Sequence, residues 1–433
     1  MFKQLEYLCK RLSKSFNSMK KILVALTTLL FTVSALGQRQ VEVADTPQGW
    51  QLTVDGTPFF ISGMNWDYFP IGTNYAYNLW EQSDDVIRAA LDSEMTLLKN
   101  MGVNVVRQYS HIPPRWITYI YEKYDIYTML NHSFGRYGMI FDGVEYPHTD
   151  YANPEMSKRL LNEIKELAET YKNTQGLLLY LLGNENNYGF FWKGAETEDI
   201  PVDEGTMNSR ARAMYKLFNE ATKIIKNIDP SRPVAMCNGD LVFLDIIVEE
   251  CKDIDIFGVN SYRGDSFDTL FEVVKEKYGK PLMFTEFGAD AFNSVTMQEA
   301  QREQAAILLN NWEEIYLNAA GQGLSGNCIG GFTFQFSDGW WKSDQEKNLD
   351  IHDTHASWAN GGYKFDFIKG KKNMNEEWFG ICAKGMPNDK GLYELYPRIA
   401  YKVLSKVHRI NPYESTREEI EKVFRGARCE VRE

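Results

Sequence analysis

The stretch "LLLYLLGNENNYG", residues 177–189, changes character at Gly183. Leu177 to Leu182 form an unbroken apolar run, too short for a useful helix and without polar alternation. Such a run reads as a strand buried on both faces, the kind found in parallel sheets covered by helices. Asn184, Glu185, Asn186 and Asn187 follow at once. A carboxylate therefore emerges where a buried strand ends, at the rim of a sheet.

Working outward, the same alternation of apolar runs and amphipathic stretches repeats along the chain. "GWQLTVDGTPFFISGMNW" reads as a hairpin turning at Asp55-Gly56 and running into a first strand. "SDDVIRAALDSEMTLLKNMG" is a helix with Ser83 as N-cap and Gly102 as terminator. Strands then read at "VNVVRQYS", "YTMLNHS", the opening stretch, "PVAMCNGD", "IDIFGVNSY", "PLMFTEFG" and "GGFTFQF", with helices between them. Eight strand–helix units point to a closed α/β barrel, a single (β/α)8 TIM barrel. It has a short N-terminal hairpin and a long insertion after strand eight, residues 337–390. The boundaries read as an upstream segment and leader over 1–37, the barrel over 38–412 and a charged tail over 413–433.

"MKKILVALTTLLFTVSALG", Met19–Gly37, has a basic start, a short apolar core and small residues at its end. That is the layout of a secretory signal, so a secreted or periplasmic chain beginning near Gln38 is expected, with no membrane span after processing. The whole sequence carries a formal net charge of −12. Residues 1–37 hold six basic residues and one acidic, so the remainder is more acidic still. An acidic exported chain is a poor partner for nucleic acid, and a neutral, polar substrate fits better. Cys237, Cys251, Cys328, Cys382 and Cys429 form no C-x-x-C pair, which points to small buried hydrophobes rather than a zinc site.

In a barrel of this kind, chemistry sits where strands end. The strand ends offer Asn65 and Trp66, Arg107, Asn131 and His132, Asn184 and Glu185, Asn260 and Tyr262, Glu286, and Phe336 with Trp340 and Trp341 beyond it. Glu185 and Glu286 leave strands four and seven, nearly opposite each other across an eight-stranded barrel. Two carboxylates facing each other over about 5 Å suit double-displacement cleavage of a glycosidic bond. One attacks while ionised; the other protonates the leaving oxygen, so their environments must separate their pKa values.

"GNEN" on strand four with "TEFG" on strand seven resembles the clan of retaining β-glycosidases that carry both catalytic glutamates there. Arg107 on strand two, "NSY" on strand six and "DGTPFFISGMNW" match the same pattern. Within that clan the chain is most similar to the TIM-barrel catalytic domain of glycoside hydrolase family two, the β-galactosidase and β-glucuronidase group. "GGFTFQF" and "NMNEEWFGI" resemble its eighth strand and closing segment, and the likeness spans roughly residues 50–410. It implies an O-glycosyl hydrolase acting on a β-linked glycan without cofactor or metal. By the same likeness Glu185 is acid/base, Glu286 nucleophile and Asn184 the partner of the sugar 2-hydroxyl. Arg107 and Tyr262 support the nucleophile, while His132 is a sugar contact. Asn65, Trp66, Asn260, Phe336, Trp340 and Trp341 complete the expected substrate-binding set. The family's tryptophan at the end of strand eight is read here as Phe336, and its β-sandwich domains are not seen ahead of the barrel.

Other readings stay in view. "NSYRGDSF" resembles β-1,3-glucanosyltransferases, so transfer to an acceptor sugar is the alternative to hydrolysis. A non-catalytic carbohydrate-binding protein would be expected to lack one glutamate, and both are present. Phe190, Phe191 and Trp192 fall in a loop and suit sugar stacking. "HDTH", His352–His355, is a weak metal pattern. "GQGLSG", 321–326, follows a helix and precedes a strand, the reverse of the dinucleotide-binding order, and reads as a turn.

Overall fold

A strand with two apolar faces needs cover on both, and a sheet closed on itself supplies one of them internally. The computed structural model describes residues 39–433 except 110–111, 142, 191–203, 356–366, 368–372 and 433. The expected leader, Phe191 and Trp192 lie outside the described residues. Gln40–Glu433 forms one compact unit.

Its centre is a closed barrel of eight strands in chain order. They are β1 (Ile61–Asn65), β2 (Val105–Gln108), β3 (Tyr127–His132) and β4 (Leu177–Leu182), then β5 (Val234–Gly239), β6 (Ile256–Asn260), β7 (Leu282–Phe287) and β8 (Cys328–Thr333). Every neighbouring pair is parallel. The alternation of side chains sorts them into two layers. Val105, Met129, Leu179, Leu181, Ala235, Met283 and Ile329 fill the lumen. Tyr180, Leu182, Val259, Phe284 and Phe287 instead face the surrounding helices. The barrel fold expected from the apolar runs is the one observed.

Helices α1 (Asp84–Met101), α2 (Pro114–Tyr124), α3 (Pro154–Tyr171), α4 (Glu204–Ile228), α5 (Leu244–Glu250), α6 (Leu270–Lys277), α7 (Gln301–Leu317) and α8 (Ile399–Val407) form the outer ring. Helix α1 ends at Gly102, whose φ of 93° is left-handed and whose N–H donates to Leu98 and Lys99 carbonyls. A Cβ there would also stand 3.0 Å from the His408 carbonyl, so only glycine fits.

Three features differ from the sequence reading. The Asp55-Gly56 hairpin is part of a three-stranded antiparallel sheet, because Val41–Thr46 pairs along the whole of Gly49–Val54. Helix α7 starts at Gln301 and not at 296, where the sequence reading places the start of a helix over 296–319, because Phe292–Asn293 and Gln298–Glu299 pair as a small ladder just before it. The charged segment 413–433 contains α9 (Arg417–Arg432), whose Ile420, Phe424, Ala427 and Val431 are buried in the main core. It packs on α7 and α8, so its charges cover only the outward face.

The described part of the long insertion is anchored by buried contacts. Arg398 grips Asp338 through two parallel bonds of 2.6 and 2.7 Å. Trp340, His352, Trp378 and Phe292 stack ring on ring, with centroids 4.3, 3.7 and 4.6 Å apart. His352 is therefore a packed ring in a column, and His355 is 88% exposed beside Asp353. No cluster of three metal-ligating side chains occurs among the described residues, and no helix there is long and apolar enough to cross a membrane.

Candidate active site

The second inward layer of the barrel is polar. Val105 is followed two residues later by Arg107 and two further on by Tyr109, all on one face of β2 and its extension. The Arg107 guanidinium is fully buried, and its five N–H groups find acceptors. Nε and Nη2 donate to Asn131 Oδ1 at 3.0 and 2.7 Å, and Nη2 also reaches Asn184 Oδ1 at 2.8 Å. Nη1 donates to Glu286 Oε1 at 2.8 Å and to the Thr285 carbonyl at 3.1 Å. An arginine with every donor engaged and no exposed surface cannot touch a ligand. Arg107 is a support of Glu286, the role that the resemblance implies for it, and not a direct substrate contact.

Glu286 reaches the mouth through an irregularity in β7. The β6–β7 register slips between Val259 and Asn260, which pair with Phe284 and Glu286. Such a bulge re-aims side chains at a barrel rim. Glu286 Oε1 accepts from Arg107 and from the Tyr109 hydroxyl (2.6 Å), and Oε2 accepts from the Tyr262 hydroxyl (2.8 Å). Both phenols are held well above their ordinary pKa, by burial first and with Glu286 adding to it, so they remain donors at neutral pH. One carboxylate thus holds three donors, one of them cationic.

Glu185 is placed differently. It sits in the turn after β4 at a φ of 57°, and its N–H donates to the Cys237 carbonyl. Asn186 and Asn187 pin that turn: Asn186 Nδ2 donates to the Ser133 and Phe134 carbonyls, and Asn187 brackets Gly239 through both amide atoms. Among the described residues the half-buried Glu185 carboxylate accepts one side-chain bond, from Asn260 Nδ2 at 3.0 Å. Burial pushes its carboxyl up to about 7, the nearby charge of Glu286 adds to the rise, and Arg136 and Asn260 partly offset it.

Asn260 ties the two halves together. Its Oδ1 accepts from Thr285 Oγ1 (2.7 Å) and lies 3.5 Å from Arg107 Nη1, while Nδ2 serves Glu185 and Asn184. It is buried and fully engaged, so it too is a support rather than the expected substrate contact. Asn184 is partly exposed, with its Oδ1 fixed by Arg107 and Asn260 and its Nδ2 donating to the Tyr137 hydroxyl at 3.0 Å.

Five other expected contacts are engaged elsewhere, and strand alternation accounts for two of them, Trp66 and His132. Asn65 points inward but gives its amide to the carbonyls of Thr285, Phe332 and Thr333; it laces the barrel top and lies 2.7 Å from the Tyr109 hydroxyl. Trp66, the next residue, points outward, fully buried, and donates to Glu94 Oε2 at 2.6 Å. Asn131 faces Arg107, so His132 faces out; its Nδ1 accepts from the Phe134 N–H. It lines a separate cavity of about 550 Å3 against Glu163 and Arg159 of α3. Phe336 is buried in the outer core. The aromatic that faces the site is Phe334, packed with Tyr109, Tyr262, Met374 and Phe379. Trp340 lends a face to His352, whereas Trp341 stands partly exposed at the rim beside Phe69 and Tyr75.

Residues the sequence reading did not place at the site are therefore Tyr109, Tyr137, Cys237, Thr285 and Phe334, while Asn131, named at the end of strand three, serves it through Arg107. Tyr109 was within reach of simple alternation from Arg107. Cys237, whose Sγ lies 3.1 Å from Asn260 Oδ1, has no such signal. All five described cysteines are free, and only Cys429 is exposed.

Residues 84–316 match the family model described as Glycosyl hydrolases family 2, TIM barrel domain. No curated protein matches the chain. Among solved structures, one similar to it is the Eisenbergiella tayi β-galacturonidase bound to galacturonate, at 16% identity and a TM-score of 0.53. Others are the Bifidobacterium dentium β-glucuronidase complexed with coumarin-3-O-glucuronide, at 19% and 0.53, and the Bacteroides uniformis β-glucuronidase, at 13% and 0.55. Each likeness covers 86% of this chain but only 54%, 50% and 37% of the other, so the chain spans about half the length of these proteins or less. At such identities the likeness is one of fold.

Proposed function

The chain belongs to glycosyl hydrolases family 2, and from that premise we propose that it is a retaining β-glycosidase with Glu286 as nucleophile and Glu185 as acid/base. The observation that carries this reading is the unequal treatment of two carboxylates joined through Asn260. Glu286 holds three donors including Arg107, which fix its carboxylate in place at the mouth for attack. Glu185 has one donor and a carboxyl pushed up to about 7, which favours a proton available to the leaving group.

In the proposed sequence Glu286 attacks the anomeric carbon as Glu185 gives its proton to the departing oxygen. Glu185, now ionised, takes a proton from water, and that water displaces Glu286 from the sugar. Asn184, oriented by Arg107, offers the mouth an amide for the 2-hydroxyl. The test is Glu286→Ala, expected to lose about 10^4-fold or more in kcat. Azide should restore part of the turnover as a glycosyl azide of inverted configuration. Wild-type enzyme should release a product of retained configuration, and an inverted first product read by NMR refutes the mechanism.

We also propose export, from the layout of Met19–Gly37. A mature chain from the native host that still carries those residues, read by N-terminal sequencing, refutes it.

A further inference from the structure

Beyond the two glutamates, the rim carries a second pair of opposite charges. Lys342 Nζ lies 2.9 Å from Glu376 Oε1, and each side chain is about one-fifth exposed (20% and 22%). The ammonium stands 5.2 Å from the Phe334 ring centre and 4.7 Å from that of Trp341. Phe334 in turn meets Tyr262 edge-on at 6.2 Å, and Tyr262 holds Glu286. Lys342 is close enough to feel the charges of Glu286 and Glu376, and Glu185 feels that of Glu376. The pair thus stands over the mouth, one ring removed from the nucleophile's tyrosine.

We propose that the Lys342–Glu376 pair makes this site selective for uncharged sugars, binding neighbouring hydroxyls of a neutral β-glycoside and rejecting a uronic acid at the same position. This rests on the glycosidase reading and names its substrate class. A sugar carboxylate needs a cation whose charge is not already balanced. Lys342 is balanced by Glu376, and Arg107 by Glu286 with all five donors engaged. Arg136, the other described cation that acts on Glu185, lies 5.5 Å from the Tyr137 ring and lines a cavity with Tyr151, Asn186 and Arg210 that is not lined by Lys342, Glu376 or the two glutamates. A carboxylate entering the mouth would meet Glu376, Glu185 and Glu286 together.

Hydroxyls suit the pair, since each can accept from the ammonium and donate to the carboxylate. The uronic acids named for the similar solved structures are therefore not expected to be this chain's ligands.

The experiment compares 4-nitrophenyl β-glycosides as neutral and uronate twins, in the gluco, galacto and manno series, at pH 6. The best neutral substrate should exceed its uronate twin at least tenfold in kcat/KM. Glu376→Gln, which leaves the lysine unbalanced, should narrow that ratio at least fivefold. Lys342→Met should raise KM for the neutral substrate without admitting the uronate. Equal losses on both twins in either variant would mean a merely structural pair and overturn the inference. Binding of the matching methyl glycosides to Glu185→Gln, followed by saturation-transfer NMR, separates this from the hydrolase reading. Absence of cleavage by the wild-type enzyme on every twin, with tighter binding of the neutral twins to the variant, would sink the hydrolase and keep the selectivity. A uronate bound as tightly as its twin, or no binding of either, would sink the selectivity.

Discussion

Replacing Glu185 by Gln should remove turnover and yet stabilise the protein at alkaline pH. The reason is that the folded chain holds the Glu185 carboxyl up to about 7, from an ordinary value of 4.5, by burial and by the neighbouring charge of Glu286. A raised carboxyl binds its proton more tightly in the folded state than in the unfolded one. Its contribution to stability is whole below about pH 4.5 and is lost as the pH climbs towards 7. At about 1.4 kcal/mol per pH unit, ionising this group removes about 3 kcal/mol across that window. Glutamine keeps an oxygen for the Asn260 amide and does not titrate.

Thermal melts of wild type and Glu185→Gln at pH 4.5 and pH 8 test this directly. Unfolding entropy near 2.1 cal/mol/K per residue gives roughly 0.9 kcal/mol/K for a chain of this size, so the variant's Tm should gain about 3 °C on wild type between the two pH values. Glu94 and Glu377, also pushed up to about 7 by burial, titrate in both proteins and cancel in the comparison. A Tm difference that is the same at both pH values, or larger at pH 4.5, refutes the reasoning.

With Glu185 as the proton donor, kcat/KM should fall about tenfold per pH unit above about pH 7, measured on a substrate whose leaving group needs protonation; a flat profile to pH 9 would count against it. Tyr262→Phe removes a 2.8 Å bond to the Glu286 carboxylate. A bond to a charged acceptor is worth about 1.5–3 kcal/mol, so kcat should drop roughly 10- to 150-fold with the fold intact by circular dichroism. Trp66→Phe takes away the indole donor to buried Glu94 and should lower stability by about 1–3 kcal/mol in urea titrations while kcat/KM stays within twofold. His132→Ala, facing the α3 cavity, should leave KM unchanged.

Much of the site was legible because strands announce themselves locally. Leu177–Leu182 is apolar throughout, and its length and composition suffice to make it a barrel strand. Glu185 and Glu286 follow such runs, so their place at the rim was readable without coordinates. The direction of each strand-end side chain was harder. Asn65 and Trp66, and Asn131 and His132, are neighbours in sequence, but one of each pair serves the site and the other packs in the outer layer or lines a cavity away from it. Alternation along a strand is a local property, whereas its phase depends on which face the closed barrel turns inward. Carrying the phase up from Val105 to Arg107 and Tyr109 would have found the tyrosine.

The amino-acid order alone determined eight strands, eight covering helices and two glutamates at strand ends, because burial periodicity and chain length act through near neighbours. Tertiary structure alone decided that β7 slips by a residue to turn Glu286 inward, that Arg107 is enclosed by acceptors from β3, β7 and the β4 turn, and that burial beside Glu286 raises the Glu185 carboxyl. Those properties belong to groups drawn from distant parts of the chain, and charge, desolvation and hydrogen bonding act through space.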